Sequence, residues 1–116
     1  MNRGDIYWAN LAPRSGSEQS GRRPVIIISH DAFNQTPGWR SIIVVPISTS
    51  AGQKRRGPTV VALPAGMTGL SNDSIALCHK ITPLDRAKLT DKVGAVPDEL
   101  LTQVEQALLA AVDIRR

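Results

Sequence analysis

The sequence is poor in aromatic residues, in cysteine and in long apolar runs. Phe, Tyr and Trp make up only 3% of its 116 residues, so it has few of the aromatic platforms on which many single-strand-binding proteins stack bases. The one cysteine, Cys78, has no internal disulfide partner, which agrees with a reducing compartment. No apolar run is long enough to cross a bilayer, and the first residues lack the apolar core of a signal peptide. We therefore expect a cytoplasmic protein that does not enter a membrane.

Motifs for metal ions and nucleotide cofactors are also missing. No Gly-rich phosphate loop or dinucleotide fingerprint follows a predicted strand, and His30 with Asp31 does not have the spacing of a zinc site. Cys78 and His79 are neighbours in a predicted strand, so their side chains would point to opposite faces. The sequence therefore predicts neither a cofactor nor a metal site. His79 remains a candidate proton carrier because imidazole titrates near neutrality, although an ordinary hydrogen-bonded histidine fits equally well.

The charge balance is moderately basic, with a net charge of +4 and an isoelectric point near 9.8. Such a balance permits an anionic partner, such as a nucleic acid or an acidic peptide, without requiring one. The length is enough for one core but not for two. We therefore expect a single domain over residues 1–116.

Short apolar, β-branched segments separated by turn residues predict an antiparallel β fold. Strands are predicted at residues 5–11, 24–29, 41–48, 59–63 and 74–79, with a short sixth strand from residue 81 and a helical turn at 30–34. This spacing favours a small, closed or nearly closed barrel. Pro24 is expected at the first position of its strand, where a missing N–H costs little. Pro46, inside the third strand, predicts a bulge or an edge near that strand's end.

An amphipathic helix is predicted at the C-terminus. Pro97 opens it and two acids follow, which suits the missing N–H and the dipole of a first turn. Apolar residues then recur at helical spacing on one face, at Leu101, Val104, Leu108 and Val112. The predicted fold class is thus mainly β, an SH3-like antiparallel barrel with one helix packed on it.

The loop before the second strand is the candidate functional site. It ends in Arg22 and Arg23, so two guanidinium groups stand at the end of a rigid element where they could hold a phosphate. Ser48 and Thr49 end the third strand and offer hydroxyl groups. Glu18, on the loop itself, could accept a proton. Each of these residues also fits an ordinary role at a loop or strand end.

Seven segments, taken in order, resemble the MazF/PemK/Kid family of toxin endoribonucleases. They are residues 4–8, 16–19, 23–29, 44–49, 69–70, 73–74 and 81–85, and together they extend over nearly the whole chain. The resemblance implies an SH3-like barrel, a homodimer, and cleavage of single-stranded RNA at short sequences without a metal or other cofactor. It also implies inhibition by an acidic antitoxin whose tail occupies the RNA groove.

The resemblance also suggests roles for individual residues. In this family the arginine just before the proline is catalytic, and here that residue is Arg23. A strand-end threonine is the usual second residue; its position by spacing from Pro46 is Ser48, with Thr49 next, and the choice between these hydroxyls stays open. Glu18 and His79 are candidates for moving a proton.

We expect RNA contacts mainly on the loops, because loops on a rigid barrel carry specificity. The residues expected to contact RNA are Ser17, Gln19, Arg22, Asn34, Trp39, Lys54, Arg55 and Arg56. Two other functions fit the same fold: a non-catalytic toxin that binds DNA gyrase, as related toxins do, and a small RNA-binding module without toxicity.

Overall fold

The structure is a computed structural model that describes residues 1–11, 21–49 and 57–115. The described strands are β1 (Asp5–Leu11), β2 (Gly21–Ile27), β3 (Ser41–Ser48), β4 (Val60–Leu63), β5 (Ser74–Leu77), β6 (Thr82–Asp85) and β7 (Leu89–Ala95), and the helices are α1 (Asp31–Asn34) and α2 (Asp98–Ala111). The predicted antiparallel β fold with a C-terminal helix is confirmed. That all 116 residues form one domain stays a prediction.

Strand β3 connects the two parts of the sheet. One of its edges pairs with β2, which continues through β1 to β7. The other edge pairs with β6 and then with β5, which continues to β4. No ladder joins β4 to β7 within the described ranges. The sheet is therefore open, where the sequence predicted a closed or nearly closed barrel.

Strand β2 begins three residues earlier than predicted, so Pro24 lies inside the strand and not at its first position. The Ile28 N–H donates to the Ile43 carbonyl on the β3 side at 2.9 Å. Because backbone groups of alternate residues face the same edge, the Pro24 nitrogen also faces β3. The β2–β3 ladder has already ended there, at the pair Val25–Pro46. The missing N–H therefore removes no ladder hydrogen bond.

The predicted fifth strand ends two residues early. β5 stops at Leu77, and Cys78–Lys80 forms a 3-10 turn before β6. Both β5 and β6 pair with β3, so the turn is an insertion between two consecutive stretches of one ladder. The expectation that Cys78 and His79 alternate in a strand was wrong, because these residues form the inserted turn.

Strand β7 was not predicted. Its sequence, Leu89–Ala95, has three consecutive polar residues and is half-buried or exposed throughout, so it lacks the alternation that marks a buried strand. It pairs with β1 along the edge of the sheet, with two irregularities in register. Gly94 allows one close approach, because a Cβ atom there would lie 2.1 Å from the Thr68 carbonyl oxygen.

Apolar side chains pack on both faces of the sheet. Helix α2 covers one face, where Leu100, Val104 and Ala107 are buried against the strands. The sequence placed Val104 on this face correctly, and Leu101 and Leu108 pack beside it half-buried. Val112 lies beyond the last helical residue and is 60% exposed, so its predicted place on the apolar face of the helix was wrong.

The opposite face has a second apolar cluster, formed by Ala9, Val25, Ile27, Ile42 and Val44. These residues belong to β1, β2 and β3, the three strands that reach the candidate site. None of the helices in the described ranges is long and apolar enough to cross a membrane.

Candidate active site

Arg23 lies in β2 opposite Ala9 of β1. The two-residue alternation of a strand places its side chain on the same face as Val25 and Ile27, which belong to the second apolar cluster. The residue is half-buried. Within the described part of the chain its guanidinium has no hydrogen bond or ion pair. The donors of Arg23 are therefore available to an anion from outside the protein.

Ser48 lies close to Arg23 by register. The last pair of the β2–β3 ladder is Val25 with Pro46, and Arg23 and Ser48 each stand two residues beyond it. Because the strands are antiparallel, both residues lie on the same side of that pair. The same alternation puts their side chains on one face of the sheet, with Ser48 buried. Thr49 follows beyond the strand and is exposed.

The Arg22 side chain lies on the other face of the sheet, where it contacts other side chains of the protein. Its guanidinium carbon lies 5.0 Å from the centre of the Trp8 ring. Its Nη2 donates to Asp91 Oδ2 at 2.8 Å and to Thr90 Oγ1 at 3.4 Å. Arg22 thus links β2, across β1, to β7. Of the two neighbouring arginines, Arg22 is therefore held by contacts within the protein, whereas the donors of Arg23 are available.

His79 lies away from this corner. Its Nδ1 is 3.2 Å from Thr59 Oγ1, and it is in the turn after β5, four residues past Ile75, the partner of Ser48. At the usual rise per residue this places it roughly 10 Å from Ser48. The neighbouring Cys78 is fully buried, and burial raises the pKa of its thiol to about 11. In the described ranges, no three residues of types His, Cys, Asp and Glu are grouped to hold a metal ion.

Asn34 and Trp39 lie near the other end of β3, before its first residue. The eight residues of β3 span roughly 23 Å, so these two residues are remote from Ser48. Asn34 is 1% exposed, and its Nδ2 donates to the Ser29 carbonyl at 2.7 Å and to Asp31 Oδ1 at 3.0 Å. Its amide holds the α1 turn, and we do not keep it among the residues proposed to contact RNA. Trp39 is exposed.

Six of the residues predicted for the site lie outside the described ranges. They are Ser17, Glu18, Gln19, Lys54, Arg55 and Arg56. Their proposed roles stay predictions.

The residues that hold Arg22 were not predicted from the sequence. Trp8 was recognised only as a strand residue, although an aromatic residue near an arginine on a paired strand suggests a cation–π contact. Nothing in the sequence pointed to Asp91, because it lies on β7, a strand that was not predicted.

The chain matches known proteins over nearly its whole length. A model of the PemK-like, MazF-like toxins of type II toxin–antitoxin systems matches residues 2–112. The chain is 38% identical over 116 residues to Endoribonuclease EndoA of Bacillus subtilis, covering 97% of each chain. It is 36% identical over 114 residues to Endoribonuclease MazF6 of Mycobacterium tuberculosis, covering 98% of each.

Solved structures of similar proteins have the same fold. MazF from Deinococcus radiodurans has a TM-score of 0.76 at 28% identity, and the match covers 97% of this chain and 96% of that one. A MazE–MazF structure from the same organism has a TM-score of 0.77 at 27% identity, covering 99% and 97%.

Proposed function

We propose, because this chain belongs to the PemK-like, MazF-like family of toxins of type II toxin–antitoxin systems, that it is an endoribonuclease toxin that cleaves single-stranded RNA without a metal ion. Two relatives named endoribonuclease, at 38% and 36% identity, align over nearly its whole length and support RNA cleavage. Cutting messenger RNA would stop translation and growth. Ribosomal or transfer RNA is a further candidate substrate.

In the proposed reaction the RNA supplies its own nucleophile. The 2′-hydroxyl oxygen attacks the adjacent phosphorus while the bond from phosphorus to the 5′-oxygen breaks. The 2′-hydroxyl loses its proton to a base, and the departing 5′-oxygen gains one. The products are a 2′,3′-cyclic phosphate and a 5′-hydroxyl end.

Arg23 has the properties that this reaction needs. The phosphorane that forms has more charge on its oxygens than the ground state, so a fixed guanidinium stabilises it selectively. Two N–H donors in a fork suit a phosphate. We propose that Arg23 also helps to protonate the leaving 5′-oxygen.

Between the two hydroxyl groups we favour Ser48 as the one that hydrogen-bonds the phosphate. Strand alternation places it on the same face as Arg23, whereas Thr49 lies one residue further and beyond the strand. For the base, the distance of His79 from Ser48 disfavours a direct role in this protomer. Glu18 stays the first candidate.

The observation that supports this proposal is that Arg23 and Ser48 stand together beyond the last β2–β3 pair. Arg23→Ala should lower the cleavage rate by at least about 10² while the thermal midpoint is kept. Ser48→Ala should lower it more than Thr49→Val does. Arg115→Ala, which removes an exposed charge near the C-terminus, is the matched control and should cleave normally.

Two substrate tests examine the chemistry. Cleavage should continue in excess chelator, because no metal takes part. Replacing the 2′-hydroxyl with hydrogen at the cut nucleotide should block it. If that substrate were cut at the normal rate, the proposed nucleophile would be wrong.

The proposed partners follow from the family. A MazE–MazF structure from Deinococcus radiodurans supports an acidic, MazE-like antitoxin as partner here, and we also propose a homodimer in the cytoplasm. Sedimentation that shows a monomer at micromolar concentration would count against the dimer. Gyrase binding is not favoured, because the matched relatives at 36–38% identity are named endoribonucleases.

A further inference from the structure

The segment 30–40, which contains helix α1 and the loop before β3, has a stacked aromatic pair on its outer surface. The ring centres of Phe33 and Trp39 are 4.6 Å apart and their planes differ by 22°. The His30 ring meets Phe33 edge-on at 6.3 Å. Phe33 and Trp39 are each 42% exposed. The chain has only four Phe, Tyr and Trp residues, so half of them lie together on this exposed segment.

The segment 30–40 is held in place by hydrogen bonds. Arg86 donates from Nε to the Trp39 carbonyl at 2.8 Å and from Nη2 to the Phe33 carbonyl at 3.0 Å. The indole Nε1 of Trp39 donates to the Ser41 carbonyl at 2.8 Å, which sets the orientation of the ring. Exposed aromatic surface that is ordered in advance loses little entropy when a ligand stacks on it.

The charge beside the pair is positive. In the described part of the chain Arg86 has hydrogen bonds only to backbone carbonyls, and no carboxylate pairs with it. Arg40 is paired with Asp85 at 2.6 Å, and Lys88 follows two residues after Arg86. The positive charge of Arg86 therefore remains available next to the rings. A flat π surface beside a cation suits a nucleobase and its phosphate.

We infer that Phe33 and Trp39 form a stacking platform for one base of a single-stranded RNA. The inference rests on the proposed function, because it assigns a second contact to the same substrate. The platform lies near the opposite end of β3 from Ser48, roughly 23 Å away. It therefore binds a base several nucleotides from the phosphate that is cut.

The test uses an RNA that cannot be cleaved, so that binding is measured apart from catalysis. The probe is a 2′-O-methyl oligoadenylate dodecamer, since stacking is tolerant of sequence. In Trp8→Phe protein, Trp39 is the only tryptophan, and the oligomer should quench its fluorescence.

Removing the platform should weaken binding of the same oligomer. Trp39→Ala should reduce the affinity by about fivefold to a hundredfold, whereas Trp39→Phe should keep most of it. The slope of affinity against salt should stay unchanged in both variants, because no charge is removed. Met67→Ala is the matched control, because Met67 is exposed to nearly the same extent, 43%, on another loop.

Three outcomes would overturn the inference. They are an absence of quenching, an affinity of Trp39→Ala within twofold of the parent, and Trp39 emission that changes on dilution of the protein alone. The last would show that a second copy of the chain covers the rings. Quenching without cleavage of natural RNA would refute the proposed function and leave the platform standing, whereas cleavage without quenching would refute only the platform.

Discussion

Arg22 and Arg23 are adjacent in sequence, yet we expect their removal to change RNA binding differently. Each phosphate contact to a single strand adds about 0.7 to the slope of log affinity against log salt. Arg23 is proposed to contact a phosphate, so Arg23→Ala should lower that slope by about 0.7. Arg22 is paired with Asp91 and lies over Trp8, so Arg22→Ala should leave the slope unchanged.

For stability we expect the opposite order: Arg22→Ala should lower it more than Arg23→Ala does. Arg22→Ala removes an exposed ion pair, worth about 0.2–1 kcal/mol, and an exposed cation–π contact, worth about 0.5–1 kcal/mol. The side chains of Arg22 and Asp91 are 49% and 75% exposed, which favours the low end, about 0.7 kcal/mol in total. A loss of that size corresponds to a thermal midpoint about 3 °C lower. Arg23→Ala should change the midpoint less.

The assay is a salt titration of the binding of a 2′-O-methyl RNA, combined with thermal unfolding of each variant. Asp91→Asn distinguishes a structural role of Arg22 from a role in binding RNA. It should lower stability and leave RNA affinity unchanged if Arg22 is a structural tie. A tighter affinity in Asp91→Asn, or a salt slope reduced equally by Arg22→Ala and Arg23→Ala, would refute this reasoning. Arg115→Ala controls for the loss of one positive charge.

Two further predictions concern the scaffold. Burial raises the pKa of the Cys78 thiol from 9.0 to about 11, so a thiol reagent in mildly alkaline buffer should label the native protein much more slowly than the unfolded one; equal rates would contradict the burial. Since the unfolded chain releases this proton first, stability should fall as the pH rises from 9.0 toward 11, and Cys78→Ala should flatten that fall. Gly94→Ala would place a Cβ atom 2.1 Å from the Thr68 carbonyl oxygen, so denaturant titration should show a loss of about 1–3 kcal/mol or more. Gly66→Ala meets no atom within 4 Å but has a φ of +87°, so it measures backbone strain alone, about 1–2 kcal/mol; a smaller loss in Gly94→Ala than in Gly66→Ala would show that β7 moves away from Thr68 at little cost.

Local patterns were enough to predict several strands. The observed bounds of β1 and β3 agree with the predicted residues 5–11 and 41–48, because β-branched segments bounded by Pro, Gly and Ser carry a strong local signal. The start of β2 was missed because Gly21 and Arg22 become strand only by pairing with Leu11 and Asn10. Likewise, the edge segment β7 forms a strand because it pairs with β1, a partner remote in sequence.

The sequence by itself determined the fold class and the family and predicted a site with Arg23 and either Ser48 or Thr49, since hydrophobic period, turn residues and ordered motifs are properties of local sequence. Only the tertiary structure decided that Asp91 and Trp8 hold Arg22, while Arg23 and Ser48 both lie two residues beyond the last β2–β3 pair. It also decided that Phe33 stacks on Trp39, with Arg86 holding the segment 30–40. These contacts depend on which segments pair, on register and on loop conformation, and no local pattern in the chain specifies them.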